Sequence, residues 1–516
     1  MTGHTKTTRR GFLAAGAAGV AAGGLAASAA ESADARWIDA LPKKWDETYD
    51  VVIIGSGFAG LAAAWEARKA GATVAILEKM RTAGGNSIIN GGIIAAAGSP
   101  LQEKQGLKDS PDQLAADMIR EGLGLNHPDL VKIVAEQSWP VVKWTIEELG
   151  VKYTDHLVQE GGHAVPRSYQ TYNSSGAAIV VQQLAKLKEI KQEIKLQTYV
   201  EKILRDGDGR VKGVQVREGY VFPRAGSGKQ KFIRARKAVV LAYGGFSSDV
   251  GFRLKQDPKL TATMDCTNHP GATAEMLRES LRIGAIPIHL SWIQVGPWGS
   301  ADEKGFGLGP HFAQEAAAMF GIWVQAQTGK RFINELANRK IRADAIMNIM
   351  NKGGNCLAIC DKAGLHGEVV ELVPKMIESG VIKPYNSVEE IAAAYQIPLE
   401  PFKQQVDDYN KYVAQAKDDQ LGRYMHKDHK PIGAEKPIYV LRLLPKVHYT
   451  MGGIEIDTAG RVLDVTTDKP IAGLYAAGES SGGIHGAVRL GSCSSLSSLV
   501  FGRIVGRNAA AEKAWA

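Results

Sequence analysis

Cysteine is scarce in this sequence. Four of 516 residues are cysteine, too few for a disulfide-built scaffold. None of Cys266, Cys356, Cys360 and Cys493 lies in the Cys-x-x-Cys-His pattern that attaches haem covalently. Cys356 and Cys360 also lack metal-ligand spacing. The run CLAIC over residues 356–360 reads as a buried strand in which cysteine behaves as a small hydrophobe. A strand places the two thiols on one face about 13 Å apart, too far to bridge. An excess of one charge sign is missing too. The net charge is +8, of which residues 1–29 supply three through Lys6, Arg9 and Arg10 with no acid. The other charges are interspersed, so a basic stripe for nucleic acid is not expected. Past residue 29 no apolar run reaches the ~18 residues of a membrane helix, so no stable membrane insertion is expected.

Glycine is plentiful, with 58 residues, well above the usual ~7 per cent. It shows no collagen triplet, and the 45% hydrophobic and 22% charged fractions are those of a globular chain. The length predicts two or three domains with real cores. Glycine in such excess points to many close backbone approaches, as nucleotide cofactors demand.

The N-terminus reads as an address. Residues 7–13 are TTRRGFL, followed by an Ala/Gly-rich stretch with small residues at Ala27 and Ala29. A charged start, a soft apolar middle and a small-x-small end make a cleavable signal, and the paired arginines resemble a twin-arginine export signal. The expectation is a signal peptide over residues 1–29 and a periplasmic mature protein.

Residues 50–54, DVVII, form a continuous apolar run, as in a buried parallel strand. GSGFAG follows over 55–60, then a helical stretch to Lys69, then a second strand at 73–77 that ends in Glu78. This is GxGxxG between strand and helix, with an acid 21 residues beyond Gly57. Gly55 permits the tight turn, Gly57 admits a pyrophosphate, and Gly60 lets helix and strand pack closely. The helix N-terminus offers free N–H groups to the phosphates, and Glu78 accepts from ribose hydroxyls. A second glycine cluster with Asn86, Ser87, Gly91 and Gly92 soon follows, and a third lies at 473–491 with Glu479, leading into Ser494 and Ser495. Two glycine-rich ends so far apart, meeting on one cofactor, favour FAD over NAD.

Several segments carry a resemblance to a known family. They are the GxGxxG turn with Glu78, the GGN at 84–86, AYGGF at 242–246, TNHPGAT at 267–273, HYTMGG at 448–453 and the loop 473–491. Together they resemble the flavoprotein of the soluble fumarate reductase/flavocytochrome c family, from about residue 46 to the C-terminus. The resemblance implies an α/β fold: a Rossmann-like FAD-binding domain in two sequence pieces, 46–290 and 447–516, with an inserted α+β capping domain at 291–446. It implies reduction of the C=C bond of an enoate, by hydride from the flavin and a proton from an arginine. Arg339, in GKRFINELANR, matches that acid. Glu315, 24 positions earlier, matches the glutamate that begins its proton relay. Arg489 matches the arginine that clamps the substrate carboxylate. His448 matches a histidine near the flavin, and Glu275 joins the cofactor set. With no haem pattern in the chain, the implied electron donor is a separate periplasmic multihaem c-type cytochrome.

The departures from the family pattern concern the substrate. Ala318 stands where the relay has a further arginine, so water or another group must deliver the proton. Tyr449 replaces a histidine that contacts substrate. Gly296 replaces a histidine that grips fumarate's second carboxylate, and Gln314 replaces a threonine. Trp292, Trp298 and Phe306 crowd the same segment as an apolar wall or as ordinary core. The expected substrate is a monocarboxylate such as acrylate or methacrylate, with fumarate and urocanate-type enoates as alternatives. A ketosteroid-type flavin dehydrogenase and an FAD electron carrier are the remaining readings.

Overall fold

A computed structural model describes residues 38–425 and 428–515. The export-signal reading of residues 1–29 lies outside the described residues. The apolar run at 50–54 closes strand β1 (Glu47–Ile54), whose last five residues are buried. The glycine turn leads into α1 (Phe58–Lys69), and β2 (Val74–Leu77) follows, wholly buried. β1 pairs in parallel with β2 on one side, Ile54 opposite Leu77. On its other side lies β3 (Lys229–Leu241), with Ile54 opposite Leu241. A further parallel strand comes from the C-terminal part of the chain, β4 (Pro470–Ala476), Ala476 opposite Leu241, and the short strand Ile194–Lys195 adds in parallel to the far side of β2. Strands buried on both faces read as continuous apolar runs and not as alternation, which is how VVII and AVVL appear in the sequence.

The register fixes where the site lies. Four strands end side by side at Ile54, Leu77, Leu241 and Ala476. The next residues, Gly55, Glu78, Ala242 and Ala477, therefore share one edge of the sheet. In open parallel sheets ligands bind at that carboxyl edge.

The C-terminal helix α5 (Cys493–Ala511) packs along α1; two further helices, α2 (Glu275–Arg282) and α3 (Arg339–Met350), begin beside the sheet's cleft and its adjoining cavity. Here glycine answers for closeness. A methyl group at Gly502 would lie 2.6 Å from the Ala59 carbonyl oxygen, and one at Gly506 would lie 2.4 Å from that of Ala63. The two helix backbones touch through that pair, one turn apart.

A second, antiparallel sheet of five strands is built from Lys330–Arg331, Ile322–Gln325, Cys356–Asp361, Ile438–Leu443 and Lys383–Tyr385, in that order. Helix Glu368–Glu378 covers one face through Val369, Val373 and Met376. Helix α4 (Leu399–Gln415) covers the other through Phe402, Val406 and Tyr409. Cys356 and Cys360 are buried on one face of the central strand, unbridged, as read from the sequence.

Strands Ile293–Gly296 and Lys446–Thr450 pair antiparallel with one irregularity. Gln294 faces Tyr449 and Val295 faces Val447, so His448 is the extra residue. A bulge of this kind bends a strand and re-aims a side chain, often beside an active site. Among the described residues no helix is long and apolar enough to cross a membrane.

The α1–α5 contact makes a direct prediction. Gly506→Ala should lower unfolding stability by about 1–3 kcal/mol, the cost typical of overpacking, measured by urea unfolding. An unchanged midpoint would mean that the helices separate freely.

Candidate active site

The glycine turn after β1 is forced by its surroundings. Gly55 has φ +105°, and a methyl group there would lie 2.2 Å from the Ala242 carbonyl oxygen. A methyl at Gly60 would lie 2.1 Å from the Gly55 carbonyl oxygen. Gly57 sits beside Ser87, whose Oγ accepts from the Phe58 N–H at 2.9 Å at the start of α1. Glu78 ties this turn to the end of β2. Its Oε2 accepts from the Ser56 hydroxyl at 2.6 Å and the Ser56 N–H at 3.2 Å, and its Oε1 accepts from the Met80 N–H at 2.9 Å. Ser56 was not singled out in the sequence. It is the x of GxG, and no spacing rule marks it.

A long cleft runs along this edge. Of the residues assigned above to the cofactor, Gly55, Gly57, Glu78, Asn86, Ser87, Glu275, His448, Glu479, Ser494 and Ser495 line it. Glu275, at the start of α2, accepts from Thr273 and Lys79 at one end. Gly60 and Gly92 do not line the cleft. They serve packing: a methyl at Gly92 would lie 2.1 Å from Thr171 Oγ1. Gly91 and Arg489 line an adjoining cavity instead. The cleft suits a flavin dinucleotide in three respects: Gly55, Gly57 and Gly244 line it without side chains, the N-terminus of α1 faces it for phosphates, and Glu78 stands at the end of β2 for a ribose.

Glu479 is a carboxyl lining this cleft. Its Oε1 accepts from the Thr450 N–H at 2.9 Å and the Thr450 hydroxyl at 3.1 Å. Burial nevertheless pushes its carboxyl up to about 7.

The adjoining cavity, of about 1270 Å³, is lined by Arg339, Glu315 and Arg489, whereas Tyr449 lines the cofactor cleft. His448, Phe306, Ser494 and Ser495 line both spaces. Arg339 is the first residue of α3, which Asn338 caps by accepting from the Ile341 N–H at 2.9 Å. Its Nη2 donates to Glu160 Oε1 at 2.8 Å, its Nη1 is buried without a partner, and its guanidinium lies 4.9 Å from the Trp298 ring centre. Arg489 lies over the Tyr449 ring at 4.8 Å. Its Nη1 donates to the Leu490 carbonyl at 3.1 Å, and its buried Nε has no partner. Burial, and then Arg339, lowers the Arg489 guanidinium to about 10. It remains cationic at neutral pH.

His448 points its Nδ1 to the Thr267 hydroxyl at 2.7 Å. Burial, with Arg489 and Arg339 nearby, holds the ring well below its ordinary value, so it is neutral. Burial foremost raises the Tyr449 phenol, which therefore stays protonated as a donor. Glu315 lines the same cavity, but its Oε1 pairs with His311 Nδ1 at 3.1 Å and not with Arg339. The carboxylate on Arg339 is Glu160, 179 positions away in sequence. The sequence reading missed it, because an acid in a QEGG run carries no mark of its partner. Trp298 is buried and Phe306 half-buried, both at the cavity wall. Trp292 is half-buried and lines neither space.

Comparison with known proteins agrees with this geometry. Residues 50–495 match the FAD binding domain family. The acrylate reductase flavoprotein subunit of Shewanella woodyi is 42% identical over 503 residues, covering 97% of both chains. The urocanate reductase of Eggerthella lenta is 31% identical over 518 residues, covering 99% of this chain and 82% of its own. The open conformation of a flavocytochrome c3 fumarate reductase superposes with a TM-score of 0.72 at 31% identity, covering 90% of this chain and 79% of the other. The chain therefore belongs to the FAD binding domain family, alongside these reductase flavoproteins, and FAD is its cofactor.

The raised Glu479 carboxyl has a measurable consequence. A carboxyl at 4.5 when unfolded and about 7 when folded binds more protons in the folded state between those values. Its contribution is thus fully present below pH 4.5 and is lost as pH rises through about 7. In flavin-free protein, Glu479→Gln should gain thermal stability relative to wild type across that window. Melting curves that stay parallel throughout would contradict the assignment.

Proposed function

We propose that this flavoprotein reduces the C=C bond of a small α,β-unsaturated monocarboxylate of the acrylate or methacrylate type. The observation that carries the substrate class is the contact between Gly296 and Trp298. A methyl group at Gly296 would lie 2.7 Å from the Trp298 ring. The ring fills the space that a side chain at 296 needs, and the resemblance puts there the histidine for fumarate's second carboxylate. The same ring lies 5.1 Å from the His448 ring and under Arg339, so the wall beside the acid is aromatic. One carboxylate clamp survives, Arg489, with its unpartnered Nε. The 42% identity to an acrylate reductase subunit supports the same class. One observation favours a larger aryl enoate as the second reading: a cavity of about 1270 Å³ exceeds what acrylate needs.

Reduced FAD, when bound, supplies the hydride for the β-carbon. The protein's own residues do the rest. Arg489 holds the carboxylate, for which a guanidinium fork is suited. The Tyr449 hydroxyl donates to the carboxylate or to the charge that develops on it. Neutral His448 positions without competing as an acid. Arg339 hands a proton to the α-carbon, with the Trp298 ring packed against one face of its guanidinium. We further assign export to the periplasm through residues 1–29 and electron supply by a separate multihaem c-type cytochrome.

Assays of the purified protein with reduced viologen test the reading. Acrylate and methacrylate should show the highest kcat/KM, and fumarate turnover far above both would overturn it. Arg339→Ala should retain FAD and lose roughly 10²–10⁴ in kcat, the range of a positioned acid. Arg489→Ala should raise KM roughly tenfold to a hundredfold, as for a lost charged hydrogen bond.

A further inference from the structure

An arginine works as an acid only if it is recharged at once, because its ordinary pKa lies above ~12. The recharging group has to touch it. Glu315, the relay glutamate by resemblance, is joined to His311. Ala318, where the next relay arginine is expected, is buried and carries no proton. Glu160 is the one carboxylate that hydrogen-bonds Arg339 among the described residues, at 2.8 Å. It lines the large cavity together with Tyr172, which is 67% exposed, so the cavity that holds it reaches solvent.

We propose that Glu160 returns the proton that Arg339 gives to the substrate. The inference rests on the reading of Arg339 as the acid. The α-carbon takes a proton from the Arg339 guanidinium, forming a C–H bond and leaving a neutral guanidine. Glu160 takes a proton from solvent and becomes a carboxylic acid. It passes that proton to the deprotonated nitrogen of Arg339, which restores the guanidinium and the carboxylate. A half-turn about Nε–Cζ exchanges the free Nη1 with the Nη2 that faces Glu160. No electrons beyond the reduction itself are involved.

Electrostatics supply the timing. Burial alone would raise the Glu160 carboxyl, but Arg339 first, then His163 and Arg489, hold it below its ordinary value. When Arg339 loses its proton, the largest of these stabilising charges disappears. Burial then favours the neutral acid, so Glu160 takes up a proton at the moment Arg339 needs one. With Arg339 recharged, Glu160 is driven back to the carboxylate. Glu160 thus acts through Arg339 as a positioning and relay group.

The test compares holoenzyme variants by kcat, KM, the solvent deuterium isotope effect and acrylate affinity read from the oxidised flavin spectrum. Glu160→Gln keeps an oxygen for Arg339 to bond but carries no transferable proton. It should lower kcat roughly a hundredfold, leave FAD content intact, leave KM and acrylate affinity unchanged or tighter, and increase the isotope effect. Glu160→Asp should recover part of the rate. A Gln variant within about threefold of wild-type kcat, or one with raised KM and unaltered kcat, overturns the proposal. So does a collapse of kcat in Glu315→Gln while Glu160→Gln turns over normally. Arg339→Ala in the same assay keeps the two readings apart. If it retains turnover, the acid itself is wrong; if it is inactive while Glu160→Gln is normal, only the relay is wrong.

Discussion

The contact of the Gly55 turn with the Ala242 carbonyl, 2.2 Å from where a Cβ would stand, governs this molecule. It holds only if β1 and β3 run parallel and end level, which their register secures at Ile54 and Leu241. The same levelness brings β4 to stop at Ala476. A chain segment more than two hundred residues downstream of β3 thereby delivers Gly478 and Glu479 to the cleft that begins at Gly55. The antiparallel pair Ile293–Gly296 and Lys446–Thr450 then joins through Thr450, whose N–H and hydroxyl both reach Glu479. A side chain at Gly55 would therefore disturb the cleft from both of its sequence pieces.

The substrate end is an electrostatic problem. Two guanidiniums, Arg339 and Arg489, share one buried region, and Arg339 weakens the hold of Arg489 on its proton. A nearby third, Arg342, is lowered to about 9 by burial and then by Arg339. Glu160 is the compensating carboxylate in direct contact. Each arginine also lies over an aromatic face, Trp298 or Tyr449, which attracts a cation without accepting its proton. The site keeps positive charge in an apolar setting and leaves Arg339 Nη1 and Arg489 Nε without protein partners. Those are the donors that a small carboxylate can satisfy.

Much of this was legible in the sequence, and the limit was physical. Gly55, Gly57, Glu78 and the continuous apolar strands are set by local backbone demands, so spacing reveals them. Gly502 and Gly506 answer to a helix far away in the chain, and nothing local separates them from ordinary helical glycines. His448 was visible as a motif residue, but its turn into the cleft follows from a bulge defined by the opposite strand. Glu315 was visible only through the family resemblance, and its carboxylate pairs with His311 four residues away. Glu160 was invisible for the converse reason: its role depends wholly on a partner in another part of the chain.

The residues packed around Arg339 are linked to one another. An indole at 298 in this pose requires glycine at 296, since any Cβ there would meet the ring at 2.7 Å. That ring in turn supports the Arg339 guanidinium from one side while Glu160 holds it from another. A histidine at 296 alone would thus displace the ring and disturb Arg339. A change of substrate at this site requires Gly296 and Trp298 to change together. On the proposed function, the site's preference would reside in the packing of two neighbouring residues as much as in the charges of Arg339 and Arg489.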